Sequence, residues 1–171
     1  MEAVLAAERE LIAKQSTKSY LPPAGAPAFR EEIFRLVLGD PAAALRARTA
    51  VIQAPGGCGA LRLGAELVHR ARPGATVLLG DPTWPNHAPL LTGGGLAIAR
   101  HPYYDATRHA VDLQPMLDAL DRAPEGTLVL LQASCHNPTG ADPDEDQWRS
   151  ILAAVERRRL VPFFDIAYQG L

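Results

Sequence analysis

Four stretches of this chain carry side chains able to bind or react. Asp165 closes the apolar run Val161-Pro162-Phe163-Phe164 and is a carboxylate at a buried strand end. Burial of a lone carboxylate is costly unless a positive or donor group meets it, and a protonated pyridine nitrogen is one such partner. Tyr168, three residues on, reaches the same place from the following turn. Trp84 and His87 lie in Asp81-Pro82-Thr83-Trp84-Pro85-Asn86-His87, just past another strand end. An indole there either stacks on an aromatic cofactor or packs under the loop as a core ring, and His87 is open to a chemical or a structural role. Asn137 sits in Cys135-His136-Asn137-Pro138-Thr139-Gly140, where its amide bonds local backbone, a ring hydroxyl or a carboxylate. The turn Pro55-Gly56-Gly57-Cys58-Gly59 lets backbone N–H groups approach an anion at a helix's positive end. Phosphate is the natural guest, although glycines at such a turn also serve purely steric ends.

Other chemistries fit less well. His87, His136, Cys58 and Cys135 are scattered without ligand spacing, so no metal site is expected. No Gly-x-Ser-x-Gly elbow exists, and adjacent Cys135 and His136 are not placed as a thiol and its base. A nucleotide-binding enzyme with a Rossmann-like core is a competitor, because Asp81 lies 24 positions beyond Gly57 at the next strand end. Against it, Gly57-Cys58-Gly59 runs into Ala60-Leu61-Arg62, without the third fingerprint glycine.

These loops need elements to hold them. The 171 residues fit one domain, or one and a fraction. A hydrophobic fraction of 47% with 21% charged residues suits a folded protein. A net charge of -2 gives no support to nucleic-acid or anionic-membrane binding. No apolar run is long enough to span a bilayer, and two cysteines make no disulfide framework, so a cytoplasmic location is expected. Periodicity predicts helices over Met1 to about Ser16, Pro27–Leu38, Cys58–Arg72, Pro85–Leu91, Asp112–Arg122 and Asp144–Leu160. Short apolar strands are expected at Thr49–Gln53, Thr76–Leu79, Leu96–Ala99, Leu128–Leu131 and Val161–Phe164. The alternation predicts an α/β fold with a mostly parallel sheet covered by helices on both faces. Ligands bind such sheets beyond the carboxyl ends of the strands, where all four chemical stretches fall.

Taken together, these motifs resemble the aspartate and aromatic-amino-acid aminotransferases, pyridoxal-phosphate enzymes of fold type I. The resemblance rests on Pro55 to Arg62, Trp84-Pro85-Asn86-His87, Cys135 to Gly140 and Asp165-Ile166-Ala167-Tyr168-Gln169-Gly170, in that order and spacing. Lys18-Ser19-Tyr20-Leu21 and Pro102-Tyr103-Tyr104-Asp105 are similar to the family too. The resemblance implies that Gly57 and Cys58 hold the cofactor phosphate and that Trp84 stacks on the pyridine ring and touches the substrate carboxylate. Asn137 would bond the ring oxygen and the substrate carboxylate, and Asp165 would keep the ring nitrogen protonated. His87 would support that acid, Tyr168 would bond the ring oxygen, and Tyr20 would reach the phosphate across a homodimer interface. The implied partners are an amino acid and a 2-oxo acid.

Two departures stand out. Cys58 occupies a position where the family usually has Thr or Ser, and a thiol is a poor donor to phosphate. The family's Schiff-base lysine lies some tens of residues beyond the Asp-x-Ala-Tyr-Gln-Gly motif, whereas the lysines here are Lys14 and Lys18. The expectation is therefore a partial large domain, with a helical segment over 1–45, an α/β core over 46–171, and the small domain outside. Such a chain would bind cofactor without completing transamination, or serve as a truncated non-catalytic module.

Overall fold

The computed structural model describes residues 1–39 and 43–169, which form two units, Met1–Gln53 and Ala54–Leu171. In the first unit, α1 spans Glu2–Lys14, α2 Pro27–Leu38 and α3 Ala43–Arg46. Pro27 opens α2 at a position whose N–H needs no helical partner, and Gly39, at φ 76°, ends it. Phe34 is the buried residue of α2, and the guanidinium of Arg46 lies over its ring at 4.7 Å. The apolar stripe of α1, Val4, Leu5, Leu11 and Ile12, is exposed.

The strand expected over Thr49–Gln53 does not form. The segment forms no ladder with another strand among the described residues. Gln53 N–H donates to Ala24 O, its Oε1 accepts from Ala26 N–H, and Arg30 Nε donates to Val51 O. These contacts tie the apolar run to the α2 entry, so its β-propensity goes unused.

The second unit alternates helix and strand. Its elements are α4 (Gly56–Ala71), β1 (Thr76–Asp81), α5 (His87–Gly93), β2 (Ala97–Pro102), β3 (Tyr104–Asp105), β4 (Ala110–Val111), α6 (Leu113–Arg122), β5 (Leu128–Gln132), α7 (Glu145–Arg157) and β6 (Val161–Asp165). The main sheet is wholly parallel, in the order β2-β1-β5-β6, and the short β3 and β4 pair antiparallel beside it in the chain. After β2 the chain crosses back to the other side of β1, so β1 and β5 flank the point where the winding reverses. Crevices open at such points, beyond the carboxyl ends of the strands.

Side-chain alternation builds two cores. Val77, Leu79, Leu128 and Leu130 face a cluster with Leu61 and Ala65 of α4 and Leu91 of α5. Leu78, Val129 and Leu131 face the opposite cluster, with Met116 and Leu120 of α6 and Ile151 and Val155 of α7. Both faces of the central strands β1 and β5 are covered, as expected from the alternating pattern. Gly64 brings α4 close to β6, since a Cβ there would lie 2.9 Å from the Phe163 ring. Asp144 caps α7 reciprocally with Gln147, which sharpens the start of that helix.

Boundaries differ from expectation by a few residues. α4 begins at Gly56 rather than Cys58, and α5 runs His87–Gly93 because Trp84 to Asn86 are spent on the preceding turn. β2 extends to Pro102, since β1 pairs with it residue for residue from Thr76↔Ala97 to Asp81↔Pro102. α3 and the β3–β4 pair are too short to leave a periodic signal.

Among the described residues β6 pairs with β5, and it is not the buried strand expected before Asp165, since Val161 and Phe164 are exposed. Val161 N–H donates to Thr127 O, so alternate residues of β6 turn their N–H groups toward β5, and Pro162 faces the open side.

Candidate functional site

The site grows from three strand ends. β1 delivers the loop of Thr83 and Trp84 and the first residue of α5, His87, which is fully buried. β6 ends on Asp165, and His87 Nε2 meets Asp165 Oδ2 at 2.9 Å, joining residues 78 positions apart. On the other side of the imidazole, Nδ1 lies 2.7 Å from Thr83 Oγ1. Trp84 stands edge-on to His87, with ring centroids 5.3 Å apart and planes at 87°. The indole is half-buried and rests on the cluster that includes Leu79 and Leu91.

β5 supplies the remaining link. Its last residue, Gln132, clamps the Asn137 main chain: Asn137 N–H donates to Oε1 at 2.9 Å, and Nε2 donates to Asn137 O at 3.0 Å. The same Nε2 lies 3.4 Å from Thr83 Oγ1. A continuous line thus runs from Asn137 through Gln132, Thr83 and His87 to Asp165. The Asn137 side-chain amide makes no hydrogen bond among the described residues, and the Asn137–Pro138 peptide is cis.

Asp142 and His136 hold this loop from behind. The Asp142 carboxylate accepts from Cys135 N–H at 2.7 Å and His136 N–H at 2.8 Å. His136 is buried, stacks on Tyr103 at 3.9 Å with planes 17° apart, and shares a hydrogen bond with Thr139 Oγ1 at 2.9 Å. Burial, opposed in part by Asp142, lowers the His136 pKa to about 4. The Tyr103 hydroxyl donates to Ala141 O at 2.7 Å, and burial raises its pKa. His101, also buried, has its pKa lowered by desolvation.

Gly57, Cys58 and Tyr168 are not hydrogen-bonded into this line among the described residues. Gly57 and Cys58 are exposed in the first turn of α4, which has no side-chain cap; a Cβ at Gly56 or Gly57 would meet nothing within 4 Å. Tyr168 is exposed in the bend after β6, and its hydroxyl makes no hydrogen bond among the described residues. Tyr20 is fully exposed in the first unit. Gly170, at the end of the last motif, lies outside the described residues. Among the described residues no group of His, Cys, Asp and Glu is gathered as metal ligands, and no helix is long and apolar enough to cross a membrane.

Thr83, Gln132, Asp142 and Tyr103 were not singled out from sequence as site residues. Two carried a readable signal. Gln132 is a polar residue ending the apolar run Leu128 to Leu131, and Thr83 stands one helical turn before His87.

The model of the aminotransferase class I and II family matches residues 1–171. The chain belongs to that family. The chain is 42% identical to an aromatic-amino-acid aminotransferase of Pseudomonas aeruginosa over 99% of its own length and 43% of that protein. It is 40% identical to an aspartate aminotransferase of Haemophilus influenzae over 100% of this chain and 43% of that one. A crystal structure of an aromatic-amino-acid aminotransferase from Burkholderia pseudomallei, covalently bound to pyridoxal phosphate, superposes with a TM-score of 0.94 at 42% identity. That superposition takes in 98% of this chain and 42% of the other. The chain therefore spans about 43% of the length of these relatives. The fold type I architecture expected from the motifs is the one found, and the Rossmann-like alternative gives way to it.

Proposed function

We propose that these residues form the pyridoxal-phosphate-binding part of an aminotransferase that moves an amino group between an amino acid, aspartate or aromatic, and a 2-oxo acid. The observation that carries this reading is the Thr83–His87–Asp165 line through the buried His87, which presents a carboxylate at the sheet's carboxyl edge beside the Trp84 ring. A planar cationic heterocycle fits that pairing of an anion with an aromatic face. The open, uncapped first turn of α4 suits the phosphate, with the Gly57 and Cys58 amides as donors. Bound there, the cofactor supplies a ring that withdraws the electrons released when an amino acid loses its Cα proton.

Each side chain has a part in that scheme. Asp165 holds the ring nitrogen, His87 orients Asp165, and Trp84 covers one ring face. The unpaired Asn137 amide serves the ring oxygen and, with Trp84, the substrate carboxylate. Tyr168 serves the ring oxygen from the bend after β6. The exposed phenol of Tyr20 supports a role toward a second copy in a homodimer. Two exposed free cysteines, Cys58 and Cys135, support a reducing, cytoplasmic setting.

Lys14 and Lys18, the lysines of this sequence, are exposed in the first unit and bonded to Glu10 and Gln15. The segment that carries the sheet, 54–171, contains no lysine, so these residues alone are expected to bind cofactor without transferring the amino group. Mixing the chain with pyridoxal phosphate should give saturable binding by absorbance, without a borohydride-stable adduct at one lysine. Absence of binding would overturn the cofactor assignment. A specific reduced adduct would overturn the expected inactivity.

A further inference from the structure

We propose that the second unit binds a small carboxylate with an apolar body in the groove between β2 and the end of α6. The groove has a volume of about 360 Å³, inside the range of small-molecule sites. It lies toward the amino ends of the strands, where Thr76 opens β1 and Thr127 precedes β5. Asp165 and Gln132 stand at the opposite, carboxyl ends. The groove is thus separate from the proposed cofactor site.

Small side chains make the space. Ala119 and Ala123 stand one turn apart at the end of α6, and Ala99 of β2 is paired in register with Leu78 of β1. Deeper in this cluster Met116 and Leu120 are fully packed, but three methyl groups at positions 99, 119 and 123 do not fill the gap between helix and strand. Leu78, Ala99, Ala119 and Ala123 therefore form an apolar floor that an alkyl or aryl group can cover, releasing water from it.

The rim is cationic. Arg100 and Arg122 line the groove, and among the described residues no carboxylate does. The acids nearest Arg122 in sequence are engaged elsewhere, which leaves its guanidinium without an ion pair among the described residues. Asp118 accepts from Gln114 Nε2 at 2.7 Å, Asp121 pairs with Arg157 at 2.7 Å, and Glu125 with Arg159 at 3.5 Å. Arg100 is half-exposed and meets Asp81 only at 3.8 Å. Thr127 is buried on the wall, and its hydroxyl makes no hydrogen bond among the described residues. An inorganic anion would use this rim and leave the floor wet, whereas a hydrocarbon would do the reverse. A carboxylate with an apolar body uses both, with the guanidinium forks matched to its head.

The test is a titration of the full chain with sodium octanoate, followed through the methyl signals of Leu78, Ala99, Ala119 and Ala123 by NMR. Saturable shifts confined to these methyls and to Thr76 and Thr127 are expected. Hexanoate, two carbons shorter, should bind roughly tenfold more weakly, and octylammonium should leave the signals in place. Arg122→Gln should weaken octanoate binding several-fold, and Ala119→Leu, which fills the groove, should abolish it. Shifts scattered over the molecule overturn the proposal, as does octylammonium binding equal to that of octanoate. Unchanged affinity in Arg122→Gln overturns it too, whether or not Ala119→Leu folds. Pyridoxal phosphate added to the octanoate complex should leave the shifts unaltered; its displacing octanoate would put the carboxylate at the other end of the sheet and end the proposal. The cofactor reading can fail while this result stands.

Discussion

The two ends of the proposed cofactor site are built on opposite terms. At the ring end, Asp165 is met by a fully buried imidazole, itself fixed by Thr83 and Gln132. At the phosphate end, Gly57 and Cys58 are exposed, uncapped and without neighbours that hold them. The ring end is organised by the protein before any ligand arrives, and its hydrogen bonds belong to folding as much as to binding. The phosphate end leaves its donors to water until an anion takes them. Preorganisation of the first kind makes a site costly to alter, whereas an open turn is easily changed. Cys58, the departure from the family's usual hydroxyl, is found at the tolerant end.

That contrast orders the expected effects. Asp165→Ala should be the most damaging, since it removes the anion and leaves His87 Nε2 buried and unpaired. A loss of about 3 kcal/mol in cofactor binding, roughly a hundredfold, is expected from a charge-assisted bond, together with about 1–3 kcal/mol of stability. Absorbance titration and urea melts measure the two losses. Equal affinity in the variant would break the comparison, by showing that the ring end does not carry the binding.

A pH effect comes next and belongs to the same organised side. The His136 pKa is lowered from 6.5 to about 4 in the folded chain, so the unfolded state binds more protons between those values. Stability therefore rises with pH across that window and is lost as pH falls from 6.5 toward 4, by about 2 kcal/mol at most after allowance for partial solvent access. His101 should add to the loss in the same direction. His136→Phe keeps a ring against Tyr103 and should flatten the dependence, read as melting temperature against pH. An unchanged slope would remove His136 from the account.

The smallest effect is expected at the open end. Cys58→Thr supplies a hydroxyl donor to the phosphate and should tighten binding by about 1 kcal/mol, or several-fold, with no change in melting temperature of the cofactor-free chain. A large gain in stability without ligand would blur the contrast, because it would mean that the turn was organised after all.

Much of this arrangement was legible in sequence, for reasons that differ by element. Val77 to Leu79 and Leu128 to Leu131 are continuous apolar runs because both faces of their strands are covered, and they were read as buried strands for that reason. Asp165 was legible because a carboxylate after Phe163 and Phe164 needs a partner; that the partner is His87 depends on a contact 78 residues long, which the family motifs implied and spacing alone could not. Thr49 to Gln53 misled because apolar composition reports suitability for a strand and not the presence of a neighbour to pair with. Gln132 was passed over because its function depends on the orientation of an amide between two backbone groups, and that is invisible before the loop is folded.

The placement of Pro162 has a consequence for any strand laid along the outer side of β6. On the open side of β6 the donors would come from residues 162 and 164, and proline has none to give. Such a strand finds the Phe164 N–H and a gap where a second rung would lie. Pairing on that side therefore relies on the Phe164 N–H and on the carbonyls of residues 162 and 164.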